Sequence, residues 1–168
     1  PFVTRFATGL LEPKNTIPGK EVAGRVEAVG ENVTQFQPGD EVFGDLSMAS
    51  WGAFAEYVSV PESAIALKPT NLTFEEAAAV PESAVVALQG LRDKGNIQPG
   101  QKALINGVSG GVGSYAVQIA KAFGAEVTAV CSTRNMEMVH SLGADHVIDY
   151  TKEDFTKNNK TYDIIFDA

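Results

Sequence analysis

A glycine-rich turn between two apolar segments is the feature of this sequence best suited to chemistry. The segment before it, residues 103–105, is typical of a short buried strand, and the segment after it has apolar residues at helical steps before a stop at Gly124. The first backbone N–H groups of a helix have no partner inside the helix, and the helix dipole adds about half a positive charge at that end. The turn therefore predicts a site for an anion such as a pyrophosphate. The apolar helical positions are Val112, Ala116, Ile119, Ala120 and Phe123.

Three glycines of the turn, Gly110, Gly111 and Gly113, would let the backbone approach a phosphate, bend tightly and pack the helix close to a sheet. The match to the pattern G-x-G-x-x-G is imperfect, because Val108 stands at the first glycine position. A second apolar strand, residues 127–131, completes a strand–helix–strand unit. The alternative interpretation is a tight strand-to-helix connection that binds no ligand.

The end of the second strand bears on the choice of cofactor. In dinucleotide folds this strand usually ends in Asp or Glu when the ligand is NAD, because a carboxylate accepts hydrogen bonds from the ribose hydroxyls. Here Ser132, Thr133 and Arg134 follow Cys131, with no acid among them. A 2′-phosphate would meet two hydroxyl donors and a guanidinium, so the sequence predicts NADP. A charge-assisted hydrogen bond of roughly 1.5–3 kcal/mol would favour NADP by roughly ten- to a hundredfold. Alternatively, Ser132 or Thr133 caps a helix and Arg134 is a solvated surface charge.

The remaining reactive side chains do not form a recognisable catalytic or metal-binding set. The two histidines, His140 and His146, have no sequence neighbour at a metal-ligand spacing. Cys131 is the single cysteine, so neither an internal disulfide nor a cysteine zinc cage can form, and its place at the end of an apolar strand predicts a small buried side chain. No Ser-His-Asp or Cys-His arrangement is apparent. Catalysis would therefore come from a cofactor that the protein orients in a dry site.

Composition narrows the function classes. The 168 residues have ordinary globular composition, with 13 Lys and Arg against 21 Asp and Glu and a net charge of −8. The acids are scattered and no basic stripe is present, which argues against nucleic acid or an anionic membrane surface as a partner. The apolar runs are short for a membrane span and the first residues lack a signal-peptide pattern, so the cytosol is the expected location.

Two kinds of pattern divide the chain near Pro69. Before it, alternating or short apolar runs predict strands at residues 22–29, 41–43, 52–60 and 65–67, typical of a small β-rich barrel or sandwich. After it, Thr73 and Glu76 form a capping box for a helix over residues 75–80. Strands then alternate with helices, which implies a parallel sheet. These elements are a helix opened by Pro81 with Val85, Leu88 and Leu91 inward, the unit described above, a helix at 135–142, a strand at 146–149, a short helix near 153–157 and a strand at 162–168.

Five segments together resemble the medium-chain dehydrogenase/reductase superfamily, and most closely its zinc-independent, zeta-crystallin-like quinone oxidoreductase branch: residues 19–33, 38–44, 52–61, 77–91 and 105–113. The resemblance implies an α/β architecture with a partial GroES-like β-rich substrate domain over residues 1–69 and the first part of a Rossmann domain, a doubly wound parallel sheet, over 70–168. It implies NADPH-dependent hydride transfer to a quinone or an α,β-unsaturated carbonyl, in a parent protein that is a homodimer. Because the chain starts at Pro1 and stops in an apolar strand, we also expect it to be a fragment of a longer protein. We expect this fragment to be catalytically silent and to bind adenosine phosphates weakly at best.

The residues that depart from zinc-dependent members of the superfamily predict a protein without a metal site. Lys20 stands where those enzymes have a histidine that ligates catalytic zinc, and Glu82 stands where they have a cysteine ligand. The four-cysteine structural-zinc lobe is absent too, because only residues 45–51 lie between Gly44 and Gly52. Two alternatives stay open: a zinc-type alcohol dehydrogenase relative, and a protein that binds NADP(H) without turnover.

The resemblance assigns cofactor contacts but no catalytic residue. Val108 departs from the usual small residue and would slightly strain the turn, and Val86 replaces a threonine that many relatives have near the nicotinamide. The cofactor positions that match are Ser109, Gly110, Gly111, Val112 and Gly113 for the pyrophosphate, Ser132, Thr133 and Arg134 for the 2′-phosphate, and Tyr150 near the adenosine phosphate.

Overall fold

The structure is a computed structural model that describes residues 16–49 and 51–168. The chain forms two compact units, which divide between Glu82 and Ser83. The sequence places its domain boundary thirteen residues earlier, after Pro69. The difference arises because the helix that follows Pro69 packs on strands of the first unit.

The first unit contains a three-stranded antiparallel sheet in the order β1-β2-β3. Its strands are β1 (Glu21–Arg25), β2 (Glu41–Asp45) and β3 (Ile65–Leu67). Helix α1 (Phe74–Ala78) packs against β1 and β2, and it starts at the predicted capping box, in which Thr73 and Glu76 exchange hydrogen bonds. The β-rich character predicted for this part of the chain is therefore confirmed.

Two strand predictions in the first unit are wrong: one strand is shorter than predicted, and the other does not form. β1 ends at Arg25 rather than at residue 29, because Val26 turns to exchange hydrogen bonds with Gly39 and Asp40. Residues 52–60 form no strand. Their alternating pattern requires a neighbouring strand to bond with, whereas Gly52 and Phe54 donate their N–H groups to loop carbonyls at Gly19 and Pro18, 3.0 and 2.9 Å away.

Helix α2 (Pro81–Leu88) begins at the predicted proline and continues as a π-helical turn, Gln89–Lys94. Leu91 is fully buried as predicted, but Val85 is 46% exposed and does not face inward. The π-turn lies where the ring of Phe166 packs onto Gly90, since a Cβ built there would stand 2.4 Å from a ring carbon. Its wider winding shifts the helical face, which explains why the regular spacing fails for Val85.

The second unit is a four-stranded parallel sheet with flanking helices, as predicted. Its strand order is β6-β5-β4-β7, so the direction of strand addition reverses between β4 and β7. In open α/β sheets, ligands bind beyond the carboxyl ends of the strands at such a reversal point. The glycine-rich turn follows β4 and therefore lies there. The elements are β4 (Lys102–Asn106), α3 (Gly111–Ala122), β5 (Glu126–Cys131), α4 (Met136–Ser141), β6 (His146–Asp149) and β7 (Ile164–Asp167), with 3₁₀ turns at Thr133–Asn135 and Phe155–Lys157.

The core of the second unit forms on both faces of the sheet. One face buries Ile105 and Val127 against Ala116 and Val117 of α3. The other face buries a smaller cluster of Leu104, Val130 and Ile148, packed against Phe155 and Tyr162. β7 is less covered than the central strands, because Ile165 is 67% exposed.

Replacing Gly113 by alanine tests the packing of α3. A Cβ at this position would stand 2.3 Å from the carbonyl oxygen of Gly107 and 2.7 Å from Cα of Val108, both backbone atoms. We expect Gly113→Ala to destabilise the second unit by about 1–3 kcal/mol in urea unfolding, because the helix must move off the turn. Gly110→Ala is the matched control, since its nearest contact would be 3.6 Å away, and it should cost less than about 1 kcal/mol. Equal losses in the two variants would contradict this packing.

Candidate nucleotide-binding site

The turn after β4 presents free backbone donors at the start of α3. Gly107 adopts a positive φ of 77°, and Gly110 closes the turn by donating its N–H to the Gly107 carbonyl at 3.1 Å. Gly110 is the N-cap of α3 and has no side chain to cap it. Within the described part of the chain, the N–H groups of Gly111, Val112 and Gly113 donate to no other group. Three donors at the positive end of a helix dipole suit an anionic ligand.

The glycines of the turn have different physical reasons to lack a side chain. Gly113 makes the backbone contact described above, and a Cβ at Gly111 would meet the hydroxyl of Ser83 at 2.7 Å. Gly110 has no such neighbour and an extended backbone, with φ −86° and ψ 172°, that any residue could adopt. The exposed space above Gly110 is therefore the part of the turn that a ligand could approach, so the turn fits a pyrophosphate group.

Val108 and Ser109, which lie between Gly107 and Gly110, also have defined positions. Ser109 is exposed beside the turn. Val108 is fully buried in the core, and its backbone is not in the positive-φ region. The strain expected from Val108 is thus not seen: Gly107 makes the sharp bend, and the valine side chain packs inward. Val86, which resemblance places near the nicotinamide, is 47% exposed on α2.

The segment after β5 brings Ser132, Thr133 and Arg134 to the carboxyl edge of the sheet. Ser132 holds the N-cap position of a 3₁₀ turn, but its side chain makes no capping hydrogen bond and instead accepts one from the Asn135 amide at 3.3 Å. Arg134 is exposed and makes no ion pair with any residue that the structure describes. The side chain of Ser132 therefore does not cap the helical turn, contrary to the alternative interpretation. The guanidinium of Arg134 is available to an anion.

Asp149, at the end of β6, is the site residue that sequence reasoning missed. It pairs in register with Cys131 and is 5% exposed. Its carboxylate accepts the hydroxyl hydrogen of Thr133 and both the hydroxyl and the N–H of Thr151, the latter two at 2.6 and 3.0 Å. The Lys152 ammonium lies 3.5 Å from the same carboxylate. These partners, the Thr133 hydroxyl first, lower the pKa of Asp149 from 3.8 to about 2.

The arrangement around Asp149 has two chemical consequences. Its oxygens are occupied by donors of the protein, so the carboxylate is not presented to a ribose in the way an NAD-selecting acid would be. The hydroxyl hydrogen of Thr133 points to Asp149, so Thr133 does not offer the donor that the sequence assigns to a phosphate. The sequence feature that could have indicated Asp149 is an acidic residue at the end of a strand. Burial, and then the charge of Asp149, raises the pKa of the Cys131 thiol, in keeping with its predicted inert role.

Tyr150 is held beside the same edge. Its backbone N–H donates to the Cys131 carbonyl at 3.1 Å, while its side chain is 58% exposed. Together with residues 151–155 it lines an open depression of about 360 Å³. The structure thus brings Tyr150 to the ends of β5 and β6, where Ser132 and Arg134 also lie.

In the first unit, the two positions compared with zinc ligands form an ion pair. Lys20 Nζ lies 3.5 Å from Glu82 Oε1 and 5.3 Å from the centre of the Trp51 ring. Glu21 accepts the N–H of Glu82 at 3.0 Å. Among residues 16–49 and 51–168, no group of three or more His, Cys, Asp or Glu side chains is placed to hold a metal ion.

Comparison with known families decides the classification. Residues 3–70 match the alcohol dehydrogenase GroES-like domain, and residues 111–168 match the zinc-binding dehydrogenase family. The quinone oxidoreductase from Coxiella burnetii superposes on 98% of the chain with a TM-score of 0.86 and 32% identity, and the chain covers 51% of that structure. The chain belongs to the medium-chain dehydrogenase/reductase superfamily. The predicted superfamily and the predicted α/β fold class are therefore confirmed.

Two curated relatives of the chain are named as a reductase and an oxidoreductase. The 2-methylene-furan-3-one reductase of Solanum lycopersicum is 44% identical over 164 residues, and the chloroplastic NADPH-dependent alkenal/one oxidoreductase of Arabidopsis thaliana is 42% identical over 164 residues. Each match covers 93% of this chain and 42% of the relative. The chain thus spans less than half the length of these relatives.

The expected cytosolic location stays a prediction, since the Arabidopsis relative is named as chloroplastic. In the described residues, no helix has the length and apolar character needed to cross a membrane.

The Asp149 network makes a pH-dependent contribution to stability. Because the folded pKa of about 2 lies below the ordinary 3.8, the stabilisation is present above pH 4 and is lost as the pH falls through about 2. We expect Asp149→Asn to lower the thermal midpoint at pH 7, and the difference from wild type to shrink between pH 4 and pH 2. Glu137→Gln is the control, because Glu137 is an exposed carboxylate of α4 that bonds to no side chain or backbone group among the described residues, and it should leave the thermal midpoint nearly unchanged. A loss that is the same for Asp149→Asn at pH 7 and pH 2 would refute the assignment.

Proposed function

We propose that this protein is an NADPH-dependent oxidoreductase that transfers hydride to a quinone or to an α,β-unsaturated carbonyl compound without a metal ion. The observation that carries the proposal is that, among the described residues, the N–H donors at the start of α3 and the guanidinium of Arg134 after β5 have no partner. The names of the two curated relatives and of the Coxiella structure support the reaction class.

The pyrophosphate of the cofactor would lie over Gly110 and accept the N–H groups of Gly111, Val112 and Gly113. Ser109 is exposed at the rim of this turn and can add its hydroxyl. The adenosine end would extend toward the edge formed by β5 and β6, where Tyr150 presents an exposed ring. Glycine at position 110 serves the ligand rather than the fold, since the protein itself leaves the space beside it open.

NADP is favoured over NAD by the charges at this edge. The end of β5 carries no acid, and the nearby Asp149 directs its carboxylate to Thr133, Thr151 and Lys152. Arg134 is left as a cation without a protein counter-ion in the described residues. A 2′-phosphate would supply the missing anion, whereas a ribose hydroxyl would leave the guanidinium in water.

When bound, the nicotinamide supplies the hydride, and the chain's own residues bind and orient it. Negative charge develops on the acceptor oxygen as the hydride arrives, so a complete site needs hydrogen-bond donors there.

Metal independence is supported by the Lys20–Glu82 pair. The positions compared with a histidine and a cysteine ligand carry an ammonium and a carboxylate 3.5 Å apart. An ammonium opposes the approach of Zn²⁺ and has no lone pair to ligate it while protonated. The carboxylate that remains is already paired with this cation.

Cofactor binding is tested by titrating the chain with NADPH and with NADH while following cofactor fluorescence. We expect tighter binding of NADPH, and we expect Arg134→Ala to reduce NADPH affinity roughly ten- to a hundredfold with little change for NADH. Arg92→Ala is the control, because Arg92 is an exposed arginine already bonded to Asp93. Equal affinity for the two cofactors, or an Arg134→Ala variant that keeps the preference, would overturn the NADP assignment.

Catalysis and metal independence are tested on the protein expressed from its complete gene, with a panel of quinones and enones. We expect steady NADPH oxidation that survives dialysis against a strong chelator and no stoichiometric zinc by elemental analysis. Activity abolished by the chelator and restored by zinc would favour the zinc-type alternative. NADPH binding without turnover on any acceptor would favour a binding protein instead.

A further inference from the structure

Lys152 is a cation at the nucleotide site that neither the sequence pattern nor the family resemblance assigns. Its ammonium lies 3.5 Å from Asp149 Oδ2, the same oxygen that accepts the hydroxyl hydrogen of Thr133. The ammonium and Thr133 are therefore neighbours through one carboxylate atom. Thr133 in turn adjoins Ser132 and Arg134 in the chain, so Lys152 is held next to the turn to which we assign the 2′-phosphate.

Among the described residues, the ammonium of Lys152 pairs with Asp149 alone, so most of its hydrogen-bonding capacity is unused there. Its side chain is 67% exposed, whereas that of Asp149 is 6% exposed, so the carboxylate is fixed and the ammonium faces solvent. An ammonium has three N–H donors, and one suffices for the contact with Asp149. Lys152 and Tyr150 also line the same open depression.

Charge balance favours a second cation at this place. A phosphate monoester carries about −1.5 to −2 charges at pH 7, so Arg134 alone would not neutralise it. Asp149 would repel the phosphate if its carboxylate were uncompensated, and the exposed ammonium of Lys152 lies 3.5 Å from that carboxylate. An ammonium in this position both screens the acid and offers donors to an incoming anion.

We infer that Lys152, positioned by Asp149, is the second cation that binds the 2′-phosphate of an adenosine nucleotide and so shares cofactor selection with Arg134. This inference rests on the proposed NADPH-dependent function. Asp149 acts as a positioning residue. Its carboxylate accepts hydrogen bonds from the hydroxyls of Thr133 and Thr151 and holds the ammonium of Lys152 at the edge of the sheet. Thr133 contributes to the site through this network rather than by donating to the phosphate.

The test compares adenosine 2′,5′-bisphosphate with adenosine 5′-monophosphate by calorimetric titration of the chain. We expect Lys152→Gln to weaken the bisphosphate about three- to tenfold, to leave the monophosphate unchanged and to reduce the salt dependence of bisphosphate binding. Lys152→Arg should retain the preference. Lys157→Gln is the matched control, because it removes the same charge from an exposed lysine paired with Asp154 outside this network and should leave both affinities unchanged.

The outcomes separate the inference from the function on which it rests. If Arg134→Ala removes the bisphosphate preference and Lys152→Gln does not, the inference is wrong and the NADP assignment stands. If Lys152→Gln weakens both ligands equally, Lys152 acts on the fold or on the 5′-phosphate, and the inference is overturned. If wild type does not prefer the bisphosphate, the proposed NADP specificity fails and this inference fails with it.

Discussion

The approach of α3 to the backbone of the turn at Gly107 is the constraint on which the nucleotide site depends. Gly113 lets the helix begin so close to β4 that a single added carbon would meet a carbonyl oxygen at 2.3 Å. This closeness aims the first N–H groups of α3 at the carboxyl edge of the sheet, where the strand order reverses. The anion-binding geometry therefore follows from packing, and Gly110 adds the open space that a ligand would use.

A second constraint acts at the ends of β5 and β6. Asp149 is nearly buried and ionised, and it satisfies its charge with hydroxyls from two different loops and with Lys152. The network ties the segment after β5 to the segment after β6 and determines which cations remain available. We therefore attribute cofactor selection to this network of charges and not to one residue at the end of a strand.

Sequence patterns predicted the second unit well because its elements carry strong local signals. The apolar strands, the glycine-rich turn and the helix stop at Gly124 each indicate their element without reference to distant residues. The first unit was harder, because the alternation at residues 52–60 predicts a strand only where a neighbouring strand is present to pair with. The π-turn at Gln89–Lys94 could not be predicted either, because it depends on the contact of Gly90 with Phe166, which is distant in the sequence.

In the candidate site, too, some features could be predicted from the sequence and others could not. The pyrophosphate turn and the acid-free end of β5 could be predicted from spacing and residue type. The carboxylate of Asp149 could not, because its effect depends on register pairing with Cys131 and on side chains that converge from separate loops. The ion pair of Lys20 with Glu82 was likewise hidden, although each residue was noted as a departure from zinc-binding relatives.

The most direct test of the central claim is a map of amide chemical-shift changes across the chain on addition of NADP⁺, recorded by heteronuclear NMR. We expect the largest changes at Gly110, Gly111, Val112 and Gly113, followed by the segment Ser132 to Arg134 and by Tyr150. Shifts confined to other parts of the chain, with these amides unmoved at saturating cofactor, would contradict the claim that the start of α3 is an anion site.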